Sequence, residues 1–301
     1  MKKRATTLVA LFAAAGLALA GCADADDATT DADGGADGGE GGTVTIGVFN
    51  GWDEGIATSE LWRAALEDQG YDVKLEYVDA APVFAGLAEG DLDFTTDVWL
   101  PVTHESYLDQ FGDQIEELGT WFDAAKLTIA VNEDADIDSL EELADKADMF
   151  GNKIVGIESG AGLTKATEDH VIPDYGLEGM EFATSSTVAM LTELKAATDA
   201  DEDIAVTLWE PHWAYSAFPI KNLDDPEGSL GDAETISIYS RGGFSDDMPE
   251  VAEWLSNFEM SPDLLYDLED KMFNENDTDD YEPIVREWIE DNQEFYEAMT
   301  Q

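Results

Sequence analysis

The sequence predicts an α/β protein of two lobes, and three observations carry that reading. From Val44 onward, short β-branched or aromatic runs alternate with stretches of helical period, the pattern of strands layered against helices in mostly parallel sheets. The alternation runs in two series, joined by an apolar run at Leu127–Val131. A late strand at Thr235–Ser240 can return the chain to the first series, so the chain crosses between lobes twice, an arrangement suited to hinge closure.

In the first series, Thr43–Phe49 reads as a strand, Thr58–Gln69 as a helix stopped by Gly70, and Val73–Val78 as a second strand. Pro82–Glu89 is helical up to Gly90, Phe94–Trp99 is a strand, and Pro101–Phe111 reads as a helix with proline in its first turn. After Leu127–Val131 come a helix at Asp138–Ala147, a strand at Lys153–Ile157 and a helix at Leu163–Tyr175. A strand at Glu181–Thr184, a helix at Val188–Thr198 and a strand at Ile204–Trp209 complete the second series. Helices are expected at Pro249–Phe258, Pro262–Phe273 and Tyr281–Met299. The expected division is thus residues 43–128 with 236–301 as lobe one and 129–235 as lobe two.

The amino terminus reads differently. Lys2, Lys3 and Arg4 precede an apolar run from Leu8 to Ala20, which is how a secretory signal is built, and the run is too short for a permanent span. Leu19-Ala20-Gly21-Cys22 is similar to a bacterial lipobox, and Cys22 is the sole cysteine. Residues 1–21 are therefore expected to be a lipoprotein signal peptide and Cys22 to carry the lipid, with an ordinary cleavage site beside an incidental thiol as the alternative. Residues 22–42 continue almost wholly in Ala, Asp, Thr, Gly and Glu, with nothing to bury, and read as an acidic flexible tether. The spacing of Asp31, Asp33, Gly35 and Asp37 fails the EF-hand pattern.

A formal net charge of −55 makes nucleic acid and anionic membrane surfaces poor partners. Much of it falls on solvated helix faces such as Asp138, Glu141, Glu142 and Asp145. Three histidines, His104, His170 and His212, form no metal-ligand or Ser/His pattern, and no phosphate-binding glycine loop occurs. No catalytic residue, metal or cofactor is expected. Carboxylate pairs are too common in so acidic a chain to indicate chemistry.

Tryptophan placement is more informative. Trp52 lies just past the first strand, and Trp99 and Trp209 each end a strand, so three indoles sit at carboxyl strand ends, where open α/β sheets bind ligands. Singly, each is more often a packed core or rim residue, and it is the coincidence of all three that points to a ligand. Trp62, Trp254 and Trp288 lie at helical spacing among apolar residues and read as core. Gly160-Ala161-Gly162-Leu163 lies between a strand and a helix, where backbone N–H groups can receive an anion, or is a plain glycine turn. His104 can donate an imidazole N–H or stand on the surface, and His170 reads as exposed.

These segments resemble a family. Gly51-Trp52-Asp53-Glu54-Gly55-Ile56-Ala57, Gly90-Asp91-Leu92-Asp93, Trp99-Leu100-Pro101-Val102-Thr103-His104, Gly156 to Leu163, and Leu208-Trp209-Glu210-Pro211-His212-Trp213 are similar to glycine-betaine-binding proteins of ABC transporters, over about Val44 to Phe258. The resemblance implies a two-lobed, hinge-closing fold of the type II periplasmic-binding-protein kind. It implies a cage of Trp52, Trp99 and Trp209 around the trimethylammonium, with His104, Gly162 and Leu163 at the carboxylate. Leu208, where glycine is frequent, and Glu210, where a neutral residue is common, depart from the pattern and bear on pocket size. The implied protein is a monomeric extracytoplasmic receptor for osmoprotectant uptake, lipid-anchored to the cell membrane and docking on an ABC permease with its ATPase. Choline, carnitine or proline betaine are the alternative ligands; a secreted carboxylate-dependent hydrolase, or more remotely a structural adhesin, is the alternative of another class.

Cation chemistry fits this independently. A quaternary ammonium offers no conventional hydrogen-bond donor, so aromatic faces are the means of binding it, while its carboxylate must be paired when buried.

Overall fold

The computed structural model describes residues 41–276 and 278–301. Cys22, the signal segment and residues 22–40 of the tether lie outside the described residues.

The first sheet half is built from β1 (Thr43–Phe49), β2 (Asp72–Val78) and β3 (Phe94–Leu100), with α1 (Asp53–Asp68) and α2 (Ala80–Glu89) between them. β1 pairs in parallel with both β2 and β3, as right-handed βαβ units dictate. α3 (Glu105–Phe111) follows. Next comes β4 (Ile115–Asn132), longer than the expected Leu127–Val131 because its first part is an irregular strand interrupted by shifts in register.

The second half contains β5 (Lys153–Gly156), α4 (Gly162–Ala166), α5 (Ile172–Asp174), β6 (Glu181–Thr184), α6 (Thr187–Asp199), β7 (Ala205–Glu210), α7 (Ala214–Ala217) and β8 (Ile220–Asn222). A π turn at Thr167–Val171 joins α4 to α5. β9 (Glu234–Arg241) and helices α8 (Phe244–Asp247), α9 (Pro249–Ser256), α10 (Pro262–Glu269), α11 (Glu282–Asp291) and α12 (Gln293–Ala298) complete the chain.

Strand order is β2-β1-β3-β9-β4-β7-β5-β6, with β8 on β4. The outer strands are parallel and the middle is antiparallel: β9 pairs with β3 and with Ile115–Ala125 of β4, while Lys126–Val131 of the same strand pairs with β7. One continuous strand thus belongs to both halves, and β9 runs back beside it.

Two expected helices differ. Asp138–Ala147 forms only short 3-10 turns at Leu140–Glu142 and Ala147–Phe150. Its acidic residues lean on few apolar ones, and Leu140 and Leu143 alone within Ser139–Lys146 are fully buried. Pro101 does not start α3. The segment Pro101–His104 is a turn after a cis Leu100–Pro101 bond, held by Glu234 of β9, whose Oε2 accepts from the N–H of Val102 (2.7 Å) and Thr103 (2.8 Å). Trp62 and Trp288 are fully buried and Trp254 nearly so, as the helical spacing implied.

Candidate ligand pocket

Four carboxyl strand ends converge on one cavity. β1 runs into Trp52, the residue before α1; β3 carries Trp99 near its end; β7 carries Trp209; and β5 leads through Ile157 to the turn that opens α4. Trp52, Trp99, Trp209, Gly162 and Leu163 line this small cavity, together with Glu54, Thr103, Leu127, Ile157 and Ala161. The three indoles are 6%, 2% and 4% exposed, so each is packed by its neighbours and only a small part of each ring is open. Neither Leu208, which is buried, nor Glu210, which accepts from Asn222 Nδ2 at 2.8 Å, is in the lining, so these departures leave the wall unchanged.

Each of these three indoles donates its N–H to an acidic side chain. Trp52 Nε1 donates to Glu158 Oε1 (2.5 Å), Trp99 Nε1 to Asp97 Oδ1 (2.7 Å) and Trp209 Nε1 to Glu54 Oε2 (2.9 Å). Trp213, just after β7, likewise donates to Asp53 Oδ2 at 2.5 Å. Trp52–Glu158, Trp209–Glu54 and Trp213–Asp53 tie the start of α1 to the second sheet half. Glu158 is itself held, its Oε2 accepting from the N–H and hydroxyl of Thr187. Each indole N–H is thereby satisfied in the interior, which fixes the ring's orientation.

Burial raises several of these acids. Desolvation pushes Asp53 up to about 7 and Glu54 up to about 8, against the indole N–H bonds that favour their charged forms. Asp97 is driven well above the usual range by desolvation and then by Glu54, and Glu269 on α10 likewise by burial and by Glu54 and Asp53. Gly55 lacks a side chain where Asp97 needs room, since a Cβ there would stand 2.5 Å from Asp97 Oδ2.

His104 is not a surface residue. It is fully buried, immediately precedes α3 and does not itself line the cavity; its ring stacks behind Trp52 at 5.4 Å and 18°. Nδ1 accepts the Trp99 backbone N–H at 2.9 Å, and the His104 N–H returns to the Trp99 carbonyl at 3.1 Å. Burial lowers His104 to about 3, so the ring is neutral at pH 7. With Nδ1 an acceptor, the proton sits on Nε2, a buried donor with no hydrogen-bond partner among the described residues. Such a group is costly unless something completes it. The N–H groups of Gly162 and Leu163 lie in the first turn of α4, where no intrahelical acceptor exists. His170 is exposed.

The profile of the family described as "Substrate binding domain of ABC-type glycine betaine transport system" matches residues 42–291. The chain belongs to this family. A glycine betaine/carnitine transport binding protein of Listeria monocytogenes is 36% identical over 150 residues, 49% of either chain, so the alignment spans about half that relative's length. The closed, liganded lactococcal protein complexed with glycine betaine superposes with TM-score 0.79 at 28% identity, covering 86% of this chain and 99% of that one. A glycine betaine/L-proline-binding protein of Borrelia burgdorferi gives 0.80 at 30%, covering 86% and 97%. The fold is therefore the two-lobed type II periplasmic-binding-protein architecture. Family members are solute-binding components of transporters, and among the described residues no helix is long and apolar enough to cross a membrane.

Sequence reasoning missed Glu54, Asp97 and Glu158. Glu54 stands two residues after Trp52, but abundant acids made any one of them uninformative. Trp213 was visible only as part of a motif, and Glu234 gave no local signal, because it acts on a turn 131 residues earlier.

Proposed function

We propose that this protein is a non-enzymatic extracytoplasmic receptor of an ABC importer that binds glycine betaine for osmoprotectant uptake. The observation that carries the reading is the convergence of Trp52, Trp99 and Trp209 on one small cavity. Aromatic faces attract a cation that cannot donate hydrogen bonds, by about 2 kcal/mol or more per well-desolvated contact. The N–H groups of Gly162 and Leu163 on the cavity wall receive the carboxylate, and His104 Nε2, buried behind Trp52, is the side-chain donor that ligand binding has to uncover. That assignment makes use of a donor otherwise orphaned in the core.

In this reading residues 43–128 with 236–301 form one lobe and 129–235 the other, with β4 and β9 as the hinge. Closure on the ligand presents a surface to the permease and its ATPase, and the protein works as a monomer held to the membrane by lipidated Cys22 through the residue 22–42 tether. Choline, carnitine and proline betaine are the competing ligands. Tryptophan-fluorescence titration of the purified protein with all four tests the assignment: glycine betaine is expected to bind most tightly. Saturable binding of none of them, or turnover of a glycan or ester abolished by changing one carboxylate, would overturn it. A Cys22→Ala protein is expected to leave the membrane fraction while still binding ligand; equal retention would refute the anchor.

A further inference from the structure

Glu54 is the one ionisable side chain among the residues that line the cavity, 1% exposed, with one oxygen engaged by the Trp209 indole. Its titratable neighbours are Asp53 beside it on α1, Asp97 on β3 and Glu269 on α10; the indoles of Trp99 on β3 and Trp209 on β7 also bear on it. His212, near Asp53 at 3.6 Å, is buried and neutral. None of the groups acting on Glu54 is basic. An ionised carboxylate enclosed without a counter-charge is strongly disfavoured, so closing the empty pocket over Glu54 requires that something neutralise it.

We propose that Glu54 makes closure of this pocket conditional on positive charge, and so selects ligands by the charge of their ammonium end rather than by its shape alone. Below neutral pH a proton can supply the neutralising charge; when a quaternary ammonium enters, the Glu54 O–H bond breaks, the proton passes to the buffer, and the carboxylate pairs with the ligand's cation. No electrons are transferred. The raised ionisation range of Glu54 in the pocket wall agrees with this competition. Indole faces prefer a cation but also accept a tert-butyl group through dispersion and burial; a carboxylate in the same wall does not. This inference rests on the quaternary-ammonium reading of the pocket.

The test compares glycine betaine with 3,3-dimethylbutanoate, which has carbon in place of the ammonium nitrogen, by calorimetric titration of the parent and Glu54→Gln between pH 6 and pH 9. Gln keeps an acceptor for the Trp209 N–H and removes the charge. Glu54→Gln is expected to weaken betaine at pH 9 by about tenfold or more and to strengthen the isostere, narrowing their ratio. Betaine affinity of the parent is expected to rise from pH 6 to pH 9, with proton release measured in buffers of different ionisation heat, and that of Glu54→Gln to stay flat. A merely structural Glu54 would change both ligands by one factor and leave the pH profile in place, and that result overturns the proposal. If Glu54→Gln does not fold, the parent's pH profile decides alone, a flat profile overturning it. A parent that binds no betaine at any pH refutes the proposed function and this inference together; one that binds betaine without charge discrimination refutes only this inference.

Discussion

Replacing Trp52 with alanine removes two things at once. The first is an indole face on the cavity, which contributes about 2 kcal/mol to a desolvated cation. The second is the bond from Nε1 to Glu158 Oε1 at 2.5 Å, which joins the start of α1 to the second sheet half; a hydrogen bond to a charged group contributes about 1.5–3 kcal/mol. Part of the second loss is recovered, because Glu158 Oε2 keeps its Thr187 donors and Oε1 can take water in an opened cleft. The expected cost to betaine affinity is therefore about 3 kcal/mol, somewhat over a hundredfold. Trp52→Phe retains a ring stacked near His104 and Phe49 but not the N–H, and is expected to cost about 1–2 kcal/mol. Isothermal titration of both variants, with thermal melts to verify folding, is the assay. A folded Trp52→Ala protein that binds betaine within about threefold of the parent would refute both the cage and the cross-cleft tie.

Other outcomes are equally specific. Gly162→Ala places a Cβ 2.1 Å from the Thr103 carbonyl oxygen, which blocks closure; betaine affinity is expected to fall at least about tenfold with little change in melting temperature, and unchanged affinity would refute the close approach. His104→Ala is expected to weaken betaine more than choline, since only betaine has a carboxylate for Nε2, and equal losses in paired titrations would reassign the carboxylate end. Asp53 and Glu54 are raised to about 7 and about 8 in the folded protein. The folded state then holds more protons than the unfolded chain from the ordinary carboxylate range up to about pH 8, so its stability falls as pH rises from about 5 to about 8. Melts of the ligand-free protein over that range check the sign, and rising stability would refute the raised acids.

Much of the architecture was present in local pattern. Period-two runs such as Thr43–Phe49 and helices punctuated by Gly70 and Gly90 obey short-range rules, so their positions needed no partner. Where local and tertiary forces competed, local reading failed. Pro101 is a good first residue for a helix, but Glu234 gathers the N–H groups of Val102 and Thr103 and holds that segment as a turn. The acidic run at Asp138–Ala147 had helical spacing but too little apolar surface to be held as a helix.

The sequence alone determined that three tryptophans stand at strand ends and that a glycine turn opens a helix beside another strand, because strand direction and element boundaries are local properties. Only the tertiary structure decided that these ends meet in one cavity, that His104 is buried behind Trp52 with Nε2 unpartnered among the described residues, and that Glu54, Asp97 and Glu158 take up the indole N–H groups. The reason is physical. In a chain with 69 acidic residues, a carboxylate gains meaning only from being taken out of water, and burial is a property of residues far apart in sequence, such as Glu54 and Trp209, brought to 2.9 Å by the fold.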